Sequence, residues 1–276
     1  MRQIDLLAQT DSLRQLGRDF ATLRTTVQKL EVRPGTDAPL RLGPQILAIN
    51  ELVSRTLAQL TDLHGSQYTA VPGSRYTLQS LSSIVSTASL AASGLATTLY
   101  ANPPDAAGFG YEPPAEEAAR QAVTALAGFL SDAARQLDRC AATCQSAAAG
   151  IIRNLKNHPE QQPALPDLTP AQYGVLRKVA EGGARRYVRG RGRGIVVRAA
   201  DGTPLRPAAF GTLAKHRMVS VDALVSPVVG QEITVTAAGE LALYMQPTAH
   251  ARPAVAPVAP VAPVAPVQEP PSRPHR

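Results

Sequence analysis

The side chains of this chain best equipped for chemistry are arginines, and they are crowded together. Arg185, Arg186, Arg189, Arg191, Arg193 and Arg198 place six guanidinium groups within 14 residues. Each is permanently charged and presents a planar fork of N–H donors that matches phosphate or carboxylate oxygens. Such a cluster is suited to holding an anion rather than to transforming one. Gly190, Gly192 and Gly194 alternate with the central arginines. That spacing fits neither G-x-G-x-x-G nor a P-loop with its Lys-Ser/Thr, so a nucleotide-cradling turn is not expected. Lys215 and Arg217 add two positive charges a little further on. These eight residues are the candidate nucleic-acid-binding set, acting on phosphate through charge. The central Arg-Gly run has two other readings, a contact for an acidic protein surface and a solvated hairpin tip whose glycines supply turn geometry.

Other chemistries find less support. Cys140 and Cys144 stand four residues apart with neither a His nor a third Cys nearby, which rules out a zinc finger or a cystine scaffold. Both fall on an apolar helical seam, so they are expected as small buried packing residues. His64, His158, His216, His250 and His275 are scattered without a Cys, Asp or Glu at ligand or triad spacing and read as surface imidazoles. Glu116 and Glu117 suit the first turn of a helix, where a carboxylate favours the dipole. No catalytic constellation, metal or cofactor is expected, and the chain is read as a non-enzyme. With 4% aromatics and no Trp, it also lacks a platform for stacking single-stranded bases.

The formal charge of +7 is unevenly placed. Residues 1–150 carry 12 Lys+Arg against 13 Asp+Glu, residues 151–246 carry 13 against 7, and residues 247–276 carry 3 against 1. The basicity therefore belongs to the second half. Only four of the 28 basic residues are lysines, an arginine bias that discounts the pI of 9.8 as a functional signal. The clustering of the charge remains informative, because a local patch attracts polyanions whatever set the overall composition. No run reaches the roughly 18–20 apolar residues needed to span a bilayer, and the N-terminus has no apolar signal core, so a cytoplasmic protein without membrane contact is expected.

The elements that would position the patch follow from periodicity. Leu6, Leu13, Leu16, Phe20, Leu23, Val27 and Leu30 step by threes, fours and a seven, predicting a first helix with a coiled-coil-like seam. A second helix is expected over about 44–64, with Pro44 in its first turn and Ile46, Ile49, Val53, Leu57, Leu60 and Leu63 on one side. A third is expected over about 77–100, a proline-rich loop over 102–114, and a long fourth helix over about 115–157. Residues 1–157 thus read as a helical bundle or helical hairpins. The first seam also predicts self-association, since its apolar partner could belong to a second copy.

Residues 158–166 are rich in Pro and Gln and read as a linker. Thr169, Pro170 and Gln172 then form a capping-box helix start, with Leu168 stapled against Tyr173. Residues 184–188 and 195–199 alternate as strands, and Asp201-Gly202 signals a tight turn. A short helix over 207–217, strands over 218–222 and 232–236, and a last helix capped by Thr236 complete a basic domain over 167–246. The tail, 247–276, contains Pro257, Pro260, Pro263 and Pro266 at every third position and is expected to be disordered and polyproline-like.

The stretch "LTPAQYGVLRKVAEGG" resembles a helix of MarR-like winged-helix proteins. "LAKHRMVSVDALVSPVVGQEITVTAAGELAL" resembles the end of their recognition helix, the wing and the closing helix. The likeness covers about 80 of the 276 residues, and the whole chain resembles actinobacterial proteins that join a helical first half to such a module. The resemblance implies a mainly α protein, a bundle followed by a small α+β winged-helix-like domain. Two departures qualify the DNA-binding role that it implies. A hairpin-like stretch over 184–206 stands where the family places a second helix. The residues of the short helix that would face outward, Ala208, Ala209, Thr212, Lys215 and His216, include none that pairs bidentately with a base. The leading expectation is a DNA-associated protein that contacts backbone with little sequence preference, its bundle mediating association. The alternatives are a structural adaptor that binds an acidic partner and a small-molecule-sensing regulator.

Overall fold

The computed structural model describes residues 2–33, 35–100, 116–189 and 193–245. The protein is mainly helical, with a small antiparallel sheet in its second half. Helices α1 (Leu6–Gln28), α2 (Asp37–His64), α3 (Ser74–Tyr100) and α4 (Glu116–Asn157) form an antiparallel four-helix bundle. Its directions are fixed by side chains at matched heights. Asp19 on α1 meets Arg55 on α2 at 2.8 Å, while Ser12 on α1 meets Gln59. Arg24 meets Asp138 at 3.6 Å, and the Arg14 carbonyl accepts from Gln145 Nε2 at 3.2 Å. The amphipathic stripes turn inward, burying Leu13, Leu16, Phe20, Ile49, Leu81, Ile84, Leu95, Leu137 and Ile151.

Three expectations change here. The α1 seam is buried by its own chain: Leu6, Leu13, Leu16, Phe20, Leu23 and Val27 all lie in the bundle core. Its spacing therefore gives no reason for a second copy. Helix α2 begins seven residues earlier than expected and carries Pro44 inside it. That is tolerable because Leu40 and Pro44 face solvent, where water can take the carbonyl that proline leaves unbonded. The earlier start brings Ala38 and Leu42 into the core, and the helix is rotated so that Leu52 is buried while Leu57 is 44% exposed. The loop over 102–114 and the tail over 247–276 lie outside the described residues.

After a short 3-10 turn (Pro159–Gln161), the second half forms α5 (Pro170–Ala180), β1 (Arg185–Arg189), β2 (Arg193–Arg198), β3 (Pro204–Leu205), α6 (Pro207–Lys215), β4 (Val219–Val221), β5 (Gln231–Val235) and α7 (Ala237–Met245). The capping box at α5 is formed: Gln172 N–H donates to Thr169 Oγ1 at 3.3 Å, and Thr169 N–H donates to Gln172 Oε1 at 2.8 Å. The strands join into one sheet of order β3-β2-β1-β5-β4. A second core lies between this sheet and α5, α6 and α7, around Leu176, Val179, Val197, Phe210, Leu213 and Ile233.

The two cores are bridged rather than separate. Ala237 and Leu241 of α7 are buried in the bundle core, whereas Ala242 belongs to the second. Asp11 Oδ1 accepts from the Ala237 N–H at 2.8 Å, and Arg14 pairs with Glu240 at 2.6 Å. The segment 158–166, read as a linker, is also engaged: Gln162 Nε2 donates to the Leu155 carbonyl at 2.9 Å, and Leu165 packs on both cores. No helix among the described residues is long and apolar enough to cross a membrane.

Candidate nucleic-acid interface

The hairpin that carries the arginines is central in the sheet, and its register decides where each one points. Arg185 stands opposite Arg198 and Tyr187 opposite Val196; in the alternate positions, Arg186 stands opposite Val197 and Val188 opposite Ile195. Val197 is buried, so the second set faces the helices, while Arg185 and Arg198 are exposed on the outer face. Arg198 also pairs with Pro204 on β3, which places exposed Arg206, two residues on, beside the same face. The result is a basic outer face on the β1-β2-β3 half of the sheet.

The remaining candidates divide. Arg186 lies on the core-facing side, half-buried, with its Nε unpartnered among the described residues. Arg189 and Arg193 are register partners at the end of the hairpin, where Gly194, at φ +58, takes up a bulge. Arg191 lies outside the described residues. Lys215 is exposed at the last position of α6. Arg217 lines a different feature, a cleft of about 840 Å³ between the α6–β4 corner, the 160–166 segment and the start of α1, together with Asp5, Asp11 and Glu160. The structure thus assembles Arg185 and Arg198, adds Arg206, and sets Arg186 and Arg217 elsewhere. Arg206 was missed because a two-residue strand has no periodicity to read.

Local partners show which charges are free. Arg198 Nη1 donates to the Gly202 carbonyl at 3.0 Å, which ties it to the Asp201-Gly202 turn. Lys178 is neutralised by Asp201 at 3.3 Å and Glu181 at 3.4 Å. Hydrogen bonding from the Thr203 hydroxyl and N–H, with help from Lys178, holds the Asp201 carboxyl down at about 2. Arg185 and Arg206 make no ion pair among the described residues, although Glu232 is the register neighbour of Arg185 on β5. The other half of the sheet differs in charge. It borders a groove of about 780 Å³ against α1 and α2, where Asp222 and Glu232 face Asp19 and Glu51, with Arg18 and Arg55 among them.

The sulfur and imidazole groups are placed as follows. Cys140 and Cys144 are buried on the α4 seam, and burial pushes both thiols up to about 12, so neither ionises near neutrality. His64 and His216 are exposed at helix ends, and His158 Nδ1 lies 3.3 Å from Glu160. His250 and His275 lie outside the described residues. Between α5 and α6, where the winged-helix resemblance calls for another helix, the chain builds β1, β2 and β3. Comparison with protein-family models, with curated proteins and with solved structures gives no match to this chain.

Proposed function

We propose that the chain is a non-enzymatic, nucleic-acid-associated protein whose basic module, of winged-helix type, holds duplex backbone while the bundle anchors it. One observation carries this reading: Arg185 and Arg198 stand directly opposite each other on the outer face, with unpaired Arg206 beside them. Like charges facing across a strand pair destabilise a sheet by roughly 0.2–1 kcal/mol. A phosphate lying across the two strands turns that repulsion into shared attraction. The acid-lined half of the sheet turns toward the bundle, so a polyanion is steered to the β1-β2-β3 half. Backbone contact without base readout agrees with α6, where Ala209, expected to face outward, is buried, and the exposed Ala208, Gly211, Lys215 and His216 offer no bidentate pairing with a base.

The test is a salt titration of duplex binding. Replacing Arg185 and Arg206 by Ala removes two unpaired cations without touching the Arg198–Gly202 contact. The slope of log affinity against log salt is expected to flatten by about 2, equally for unrelated sequences. An unchanged slope rejects this face as the contact.

A further inference from the structure

We infer that the free edge of β4 is a docking site for an extended segment of a partner protein, one that alternates aliphatic and basic residues and adds to the sheet as a further strand. The site lies on the acidic half of the sheet, at the opposite end of the strand order from β2 and β3, and stands independently of the duplex reading.

β4 ends the order β3-β2-β1-β5-β4, so one of its sides has no neighbouring strand. Its register shows which groups are left over. Asp222 N–H donates to the Glu232 carbonyl at 2.9 Å and the Met218 carbonyl accepts from Thr236 N–H at 3.1 Å, so residues 218, 220 and 222 turn their backbone groups to β5. Val219 and Val221 turn theirs to the open side, where neither makes a hydrogen bond among the described residues. An edge left in this state is a template for another strand. Open space lies beside it. Val219 and Ser220 line the cleft of about 840 Å³ at the start of α1, while Ser220, Val221 and Asp222 line the groove of about 780 Å³ against α1 and α2.

Charge and alternation identify the occupant. In the groove Arg55 is taken up by Asp19 at 2.8 Å, which leaves Glu51, Asp222 and Glu232, without an ion pair among the described residues, against the guanidinium of Arg18. Along β4, Val219 and Val221 lie toward the helices, buried and half-buried, while Ser220 and Asp222 are exposed on the other side. An added strand shares this alternation, so one set of its side chains meets valines and the other meets carboxylates. Leu224, 96% exposed and lining the same groove, offers a further aliphatic contact. The acids disfavour other occupants. A second copy would bring its own Asp222 and Glu232 to the groove, and nucleic acid or an anionic bilayer is repelled there. The chain's own residues 247–276 include Pro257, Pro260, Pro263 and Pro266, which lack the N–H that a ladder uses.

The experiment measures binding of the full chain, by fluorescence anisotropy, to a labelled peptide of alternating Val and Lys about eight residues long. N-methylating one alternate set of its amides should weaken binding about tenfold and methylating the other set should not, because only one edge of an added strand faces β4. Exchanging its Lys for Glu should abolish binding. The variant Glu51→Gln, Glu232→Gln, altered only at exposed positions, should bind the Val-Lys peptide about fivefold more weakly. Absence of binding at about 1 mM peptide overturns the site. Equal weakening by both methylated sets, or by neither, overturns strand addition, and unchanged binding by the double variant overturns the acidic groove as the contact. Tighter binding of a synthetic 247–276 peptide names the chain's own tail as occupant, and conversion of a dimer to a monomer by the Val-Lys peptide names a second copy; either overturns the partner segment.

Discussion

Arg217 sits in the left-handed region, at φ +54, where most chains place glycine. It follows the His216 cap of α6, and its N–H donates to the Ala214 carbonyl while that of Met218 donates to Leu213. This is a Schellman ending with a bulky residue at the glycine position. Replacing Arg217 by Gly should raise stability by about 0.5–1 kcal/mol in urea unfolding, because left-handed backbone costs an L-residue about 1–2 kcal/mol and the greater unfolded-state freedom of glycine offsets part of the relief. A loss of stability would mean that the side chain's packing in the cleft outweighs its backbone strain. At this scale the sequence was readable where a period carried the information. The seam through Leu137, Cys140, Cys144 and Ala147 placed both thiols inside, where burial now holds them protonated. The inward turn of Arg186 was not readable. In a run of arginines, charge looks alike at every position, and only pairing of β1 on both edges decides which one faces the helices.

Among the elements, α7 shows how one small residue sets a packing distance. A Cβ at Gly239 would overlap the Met218 carbonyl and press on Val235 and Leu176. The helix therefore lies against the α6–β4 corner, pinned by Thr236 Oγ1, which donates to the Arg217 carbonyl at 2.6 Å and accepts from Gly239 N–H at 3.3 Å. Gly239→Ala should destabilise by about 2 kcal/mol or more in thermal or urea unfolding, because the obstacle is backbone and cannot step aside. A neutral effect would show that α7 can lift off its seat. The order of elements in the second half was legible from capping residues, alternation and the Asp201-Gly202 turn. The two-residue β3 was not, and neither was the joining of the hairpin to β5, which arises from long-range pairing of Arg185 with Glu232 and of Arg186 with Gln231. In α2 the proline suggested a start that the buried Ala38 and Leu42 overrode.

Across the whole molecule, the bundle and the basic module meet through α7, and Asp11 is the hinge of that contact. Burial pushes its carboxyl above the ordinary range, against the opposing pull of the Ala237 N–H and Arg14, with Glu240 adding to the rise. A carboxyl raised on folding favours the folded state while it is protonated, and this advantage is lost as pH rises through its folded value. Asp11→Asn keeps an acceptor for the Ala237 N–H without a charge in this partly buried position. It should be no less stable than the parent at pH 7, with any advantage shrinking at pH 3. Asp11→Ala should lose about 1–2 kcal/mol at both. Urea unfolding at the two pH values measures this, and an Asn variant as weak as the Ala variant at pH 7 would mean that the charge itself holds the junction. The docking was hidden from sequence reading because Ala237 and Leu241 sit in a helix whose apolar residues serve two cores at once. The bundle itself was visible in its seams, though not the fact that they close on one another within a single chain.

The central claim, a polyanion held across the outer face of β1, β2 and β3, is tested most directly by duplex affinity as a function of salt. If about four to six phosphates are neutralised, the unaltered protein should show a slope of log affinity against log salt of roughly -4 to -5, alike for unrelated sequences. The Arg185→Ala, Arg206→Ala double variant should fall near -2 to -3. Absence of binding at low salt, or a slope that the double variant leaves intact, would contradict it.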